Sequence, residues 1–278
     1  MQAISDRVIL VTGATDGLGR QVARDLADQG ATVLLHGRNR KKGETYLSEI
    51  RSATGNDKLK YYNADFSSLE AVHRLAEELC ADQRRLDVLI NNAGVGGRPG
   101  AGTRRESADG HELCFAVNYL AAYLLTHRLL PLLRQSSPAR IVNVSSVGQW
   151  PIDFDDVMLE RAYDGFRAYA QSKLAQVMFT FDLAEALEGS GVTVNSLHPA
   201  TLMDTKMVHE CFGRSMSTVQ QGADAVVYLA TSSDLDSVTG EYFDGKQRAR
   251  ANAQADDKEA RRRLRQLSMR LIGLQEYD

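Results

Sequence analysis

The chain has 278 residues, 43% of them hydrophobic and 25% charged, with a formal net charge of -3. That composition suits an ordinary folded protein with a normal core, and its faint acidity gives no basis for non-specific nucleic-acid binding. Three scattered cysteines, Cys80, Cys114 and Cys211, lack metal-ligand spacing, residues 1–7 hold no signal-peptide core, and no apolar run approaches the ~20 residues of a membrane span, so a soluble cytoplasmic protein is expected.

The first strand expected is Val8–Val11, an apolar β-branched run of the kind buried on both faces. It leads into Thr12-Gly-Ala-Thr-Asp-Gly-Leu-Gly19, then a helical pattern with Val22, Ala23 and Leu26 closed by Gly30, then a second strand at 32–35. In such a βαβ unit Gly13 permits the tight turn, Gly17 lets backbone approach a pyrophosphate, and Gly19 allows helix to pack on strand. The helix N-terminus beyond offers free N–H groups to phosphates. A glycine-rich turn is also a common strand-to-helix connection, but its place after the first strand favours dinucleotide binding.

The alternation continues with a helix at 42–53, a strand at Leu59–Asn63, and Leu69, Val72, Leu75 and Leu79 at helical spacing. A fourth strand at 86–90 runs into Asn91-Asn-Ala-Gly94. Residues 94–110 read as loop, 107–133 as a long helix, and 141–144 as a fifth strand ending at Ser145-Ser146. Residues 150–167 show no clear period. A sixth strand at 192–197 ends at His198-Pro199. A helix at 218–230, a short seventh strand at 241–243 and a terminal helix at 256–271 complete the chain.

Strands alternating with helices predict one α/β domain spanning 1–278: a Rossmann-type, doubly wound parallel sheet of about seven strands with helices on both faces. In such sheets ligands sit beyond the carboxyl ends of the strands. Gly13, Arg38, Asp65, Asn91, Ser146 and Pro199 each follow a predicted strand, so all converge on one crevice.

Tyr169 and Lys173 lie four residues apart on a helix carrying Leu174, Val177, Met178 and Phe181 as its apolar stripe, so their side chains share a face. An ammonium about 4 Å from a phenol contributes on the order of 4 kcal/mol at an effective dielectric of ~20. That predicts a tyrosine pKa about two to three units below its ordinary ~10 and a usable proton donor or acceptor. Tyr242 and Lys246 repeat the spacing, but Asp244 and Gly245 between them read as a turn.

Four signatures occur in the order seen in the short-chain dehydrogenase/reductase family: the Thr12 to Gly19 turn, Asn91-Asn-Ala-Gly94, a serine closing the fifth strand, and Tyr169-x-x-x-Lys173. The chain resembles that family over nearly its full length, with Asn118 matching the family's helix asparagine. Arg38-Asn39, Ser172, Thr239-Gly-Glu-Tyr-Phe243 and the terminal helix look like its retinol dehydrogenase/WW-domain oxidoreductase-like branch.

The resemblance implies that Tyr169 is general acid or base, that Lys173 lowers its pKa and holds the nicotinamide ribose, and that Ser146 holds the substrate oxygen. Ser145 is the alternative to Ser146. Asn118 would position a water linking Lys173 to solvent, or cap a helix irregularity. Thr15, Asp16 and Leu18 belong to the cofactor turn. Asp65 would accept from the adenine amino group beside Phe66, or serve as a helix N-terminal acid before Ser67-Ser68. Asn91, Ala93 and Gly94 would run along the adenosine ribose, and Pro199 and Thr205 would flank the carboxamide, Thr205 falling one residue late for the family pattern.

Cofactor choice turns on the second strand's end, where Arg38 and the lack of an acid favour NADP(H) over NAD(H). Asp16 argues the other way, by repelling a 2′-phosphate, or else pairs with Arg38. The expected reaction is hydride transfer with a small-molecule carbonyl or alcohol, largely apolar, its specificity shaped by loops at about 95–105, 147–168 and 200–217. Trp150 and Phe154 would be walls of that mouth, or Trp150 plain packing. Segment 147–168 could also block helix pairing, so homodimer and monomer both stand open. The alternative function is a catalytically silent dinucleotide-binding regulator on the same fold.

Overall fold

The computed structural model describes residues 3–97 and 103–273. Strands β1 (Val8–Val11), β2 (Thr32–Gly37), β3 (Leu59–Asn63), β4 (Val88–Asn91), β5 (Ala139–Val144), β6 (Val192–His198), β7 (Glu241–Asp244) and β8 (Gln247–Ala249) form one sheet. Their order is β3-β2-β1-β4-β5-β6-β7-β8; neighbours up to β7 pair in parallel, and β8 turns back antiparallel. The eighth strand exceeds the seven expected. Gln247-Arg248-Ala249 is a short, mostly exposed edge with no apolar alternation to mark it, and an antiparallel return needs only the tight turn at Gly245.

The helices are α1 (Gly17–Asp28), α2 (Arg40–Thr54), α3 (Leu69–Asp82), α4 (Ala121–Gln135), α5 (Gly165–Ala186), α6 (Lys206–Phe212), α7 (Val219–Thr231) and α8 (Lys258–Leu271). Successive residues of β1 serve opposite faces. Ile9 and Val11 pack with Val22 and Leu26 of α1, Ile50 of α2 and Val226 of α7, whereas Leu10 packs with Leu75 of α3, Leu124 of α4, Leu174 of α5 and Leu264 of α8. Each buried side chain of this size contributes roughly 1.5–3 kcal/mol. The central strands are therefore held from both sides, and the crevice opens where the order reverses between β1 and β4.

The long helix expected at 107–133 starts later. Ser107 Oγ accepts from the Asp109 and His111 amides, both at 3.2 Å, and Gly110 takes φ 79°. These local bonds close a turn in place of a first helical turn. Beyond it the chain passes through a π-helical turn, Phe115–Leu120, before α4. The pattern at 200–217 also hid α6, a short helix with no buried residue to give it a period.

Candidate active site

Thr12 binds the end of β1 to the end of β4. Its hydroxyl donates to Ile90 O at 3.2 Å and accepts from the Asn92 and Ala93 amides at 2.9 and 3.0 Å. Gly13 has φ 66°, and a Cβ there would stand 2.8 Å from Ala93 Cα; a Cβ on Gly19 would run into Asn92 Nδ2 and Gly13 O. The turn thus needs glycine at both places. What remains is a cradle without side chains under the N-terminus of α1, with Leu18 buried beneath it and Thr15 against Gly37. Such a cradle fits a dinucleotide pyrophosphate.

Asp16 caps α1 through the Gly17 amide at 2.9 Å, and its other oxygen meets Lys42 Nζ at 2.6 Å. Burial acts to raise this carboxyl, but the Lys42 hydrogen bond and charge, the Gly17 amide and the Lys206 charge together outweigh it and leave the pKa below its usual value. The pairing with Arg38 does not form, because Lys42 in the first turn of α2 reaches Asp16 instead. Arg38 is exposed at the end of β2, with no ion pair among the described residues.

His36 supports the cradle from below. Its Nδ1 accepts from the Gly13 amide at 3.3 Å, its Nε2 faces Ala64 O at 3.1 Å, and its ring stacks on Phe66 at 4.2 Å. That set of partners assigns a neutral ring with the proton on Nε2. Burial drives its pKa down to about 4. Asp65 is exposed and uses Oδ1 to accept from Ser67 N and Oγ, both at 2.9 Å, as an acid at a helix start does. Asn91 turns its side chain inward: Nδ2 donates to Thr126 Oγ1 at 3.0 Å and Asn143 Oδ1 at 2.8 Å. Toward the crevice it therefore presents backbone alone.

On α5, Tyr169 and Lys173 do share a face. Ser146, whose Oγ accepts from Gly148 N at 3.0 Å, lies near enough to the Tyr169 phenol to lower its pKa, while Ser145 Oγ is committed to Lys173 O at 2.7 Å. Alternation along the strand end thus leaves Ser146 as the serine facing the tyrosine. Asn118, fully buried in the π-helical turn, accepts from Val95 N at 2.7 Å and donates to Val95 O at 3.1 Å and Ser172 Oγ at 2.9 Å. It ties the loop after β4 to α5 as well as occupying a helix irregularity.

The expected lowering of the tyrosine pKa is not what this geometry gives. Burial pushes the Tyr169 phenol above its ordinary value, Ser146 works the other way, and the Cys114 and Cys211 thiols add to the rise. Burial also brings Lys173 down to about 7. Lys173 Nζ donates to Val144 O and Gln176 Oε1, both at 2.8 Å. For both groups the largest cause is desolvation, which disfavours the charged form.

The entrance differs from expectation in its walls. A Cβ on Gly96 would fall 2.8 Å from Met207 Cγ and 2.9 Å from Cys211 Sγ, so α6 lies on the loop after β4. Phe166 stands between Tyr169 and Phe212, at ring distances of 6.5 and 6.4 Å. Phe154 instead packs toward the core under Arg263 of α8, 4.5 Å from its ring, and is no wall. Trp150 is 51% exposed, so it is not core packing. Pro199 is buried. Thr205 caps α6 through Val208 N, and its methyl would lie 3.2 Å from a Cβ on Gly17, so it does reach the cofactor turn. Part of loop 95–105 lies outside the described residues.

Sequence reading gave no separate role to Thr12, His36, Lys42 or Gln176. Thr12 and His36 had a signal, since each lies at a strand end beside the glycine turn; Lys42 and Gln176 gain their partners through the fold alone.

The family model for short chain dehydrogenases matches residues 7–216. Retinol dehydrogenase 13 of Mus musculus is 38% identical over 98% of this chain and 85% of its own length. Retinol dehydrogenase 11 of Homo sapiens is 39% identical over 96% and 86%. Among solved structures, an uncharacterized protein from Mycobacterium paratuberculosis superposes with a TM-score of 0.82 at 28% identity, over 99% of this chain and 96% of that one. An Escherichia coli protein assigned to the short chain dehydrogenases, in complex with NADPH, gives 0.72 at 30% identity over 87% and 97%.

Proposed function

Because this chain belongs to the short-chain dehydrogenase family, whose members are NAD(P)-dependent oxidoreductases of alcohol and carbonyl groups, we propose that it transfers hydride between NADP(H) and a largely apolar carbonyl or alcohol. Tyr169 is the proton donor in reduction and the acceptor in oxidation. The observation that carries this reading is the Tyr169 phenol close to Ser146, with the Lys173 ammonium 5.8 Å from its ring centroid and Lys173 Nζ held by Val144 O and Gln176.

The bound dinucleotide would supply or take the hydride, held by the turn from Gly13 to Gly19, the loop from Asn91 to Gly94, and Lys173. The chain's own residues handle the proton. Ser146 donates to the substrate oxygen and steadies charge developing there. Tyr169, kept protonated at neutral pH by its burial, gives its proton to that oxygen. Lys173 and Ser146 then favour the phenolate left behind. A phenol that stays protonated suits the reductive direction.

Two observations support NADP(H). Arg38 is exposed at the end of β2, and Lys42 offsets the charge of Asp16 that would otherwise repel a 2′-phosphate. An apolar substrate is supported by Phe166 beside the tyrosine with Phe212 behind it, by Met207 of α6 against Gly96, and by relatives named for retinol. The test is NADPH oxidation followed by nicotinamide absorbance with apolar aldehydes and ketones, retinal among them, against small polar carbonyls. Tight NADPH binding without turnover on any of them would favour the silent regulator instead.

A further inference from the structure

Gln176 follows Lys173 by three residues on α5 and meets it directly: Lys173 Nζ donates to Gln176 Oε1 at 2.8 Å. Both side chains are buried, and Gln176 Nε2 has no hydrogen-bond partner among the described residues. Behind it, Thr180 Oγ1 donates to Gln176 O at 2.8 Å and accepts from Asn143 Nδ2 at 2.9 Å, while Asn143 Oδ1 accepts from Asn91 at 2.8 Å. A polar row thus runs from β4 and β5 to the backbone of α5 at Gln176, whose side chain alone meets the ammonium. A buried amide with an unsatisfied N–H2 is costly, and a leucine or methionine would fill similar space without that cost. The oxygen end must therefore matter to what it touches.

We propose that Gln176 is a positioning residue for hydride transfer: its amide oxygen fixes the place and the charge of Lys173, and through Lys173 the proton on Tyr169. This rests on the roles given above to Lys173 and Tyr169. The titratable groups facing the ammonium are Tyr169 on its own helix and Cys114 beside the π-helical turn. Burial holds both of these protonated at neutral pH, so neither supplies a negative charge. Neutral oxygens carry the cation instead: Val144 O, which no substitution removes, and Gln176 Oε1, which one does.

The test titrates Lys173 itself, by the 13Cε chemical shift of lysine-labelled protein without added cofactor, the signal assigned through Lys173→Met. Gln176→Leu is expected to move the midpoint down by about one pH unit, since the charged form loses an acceptor. Gln176→Glu is expected to move it up by at least as much. The alkaline limb of kcat for NADPH-dependent reduction should follow each shift in the same direction, because the ammonium is lost as pH rises through its pKa. Should Gln176→Leu fail to fold by circular dichroism, Gln176→Asn, which withdraws the amide by one methylene, is expected to shift the midpoint down as well. Midpoints unmoved in folded variants of an enzyme that turns over would overturn the role of Gln176 alone. Wild-type protein that reduces nothing while the midpoints move would overturn the functional reading and leave the Gln176–Lys173 coupling standing.

Discussion

Lys173 holds its ammonium 5.8 Å from the centroid of the Tyr169 ring, yet gives its hydrogen bonds to Val144 O and Gln176. The two side chains are therefore neighbours without a direct hydrogen bond, and the phenol hydroxyl lies near Ser146. Removing that hydroxyl should remove the proton transfer and little else. Tyr169→Phe is expected to lower kcat by about 10²–10⁴-fold, with NADPH binding, read by fluorescence, changed less than threefold. A kcat within fivefold of wild type would mean that another group moves the proton.

The buried lysine also predicts how stability responds to pH. Its pKa is about 7 in the folded chain and ~10.4 in an unfolded one. Between those values the unfolded chain binds more protons, so stability rises with pH across the window; the cost of burying the ammonium is complete below about 7 and gone above ~10.4. Comparing wild type with Lys173→Met by thermal denaturation should show wild type gaining on the variant from pH 7 to 10, by on the order of 2–4 kcal/mol. Parallel curves for the two proteins would show that the lysine is not desolvated as described.

Cofactor choice is expected to rest on Arg38. Arg38→Asp should raise KM for NADPH by about 10- to 100-fold, through loss of a charge-assisted contact and gain of repulsion, while KM for NADH changes little or falls. Lys42→Met should weaken NADPH in the same direction by releasing the charge of Asp16. Equal effects on both nucleotides would show that neither residue reads the 2′-phosphate.

His36 links the cradle to acid stability. With its pKa depressed to about 4 in the folded protein against ~6.5 unfolded, the folded chain binds fewer protons and stability falls as pH drops from 6.5 toward 4. His36→Leu should flatten that limb and leave the Gly13 amide without its acceptor, at a cost of about 1–3 kcal/mol at neutral pH. Thermal melts of both proteins at pH 5 and 7.5 would read the two effects separately.

Much of this was legible because some patterns are local. A strand buried on both faces, a glycine turn after it and two side chains four residues apart on a helix are dictated within a few residues, and Val8–Val11, Gly13 to Gly19 and Tyr169 with Lys173 all stand as their spacing implies. What escaped is tertiary in origin. The sign of the Tyr169 shift depends on how deeply two groups are buried, which spacing does not encode. Lys42 reaches Asp16, and Arg38 does not, because α2 packs beside the turn. The exposed strand β8 and the short helix α6 carry too little apolar periodicity to be seen.

The grip of Asn118 on Val95 and Ser172 bears on any attempt to broaden what the enzyme accepts. Because one amide clasps α5 and the loop after β4 together, reshaping that loop would disturb Tyr169 along with it. Against the next residue of the same loop rests α6, capped by Thr205 and meeting Gly96 through Met207 and Cys211. Redesign for a bulkier guest belongs at Met207, since Cys211 bears on the Tyr169 phenol and Thr205 on the glycine turn.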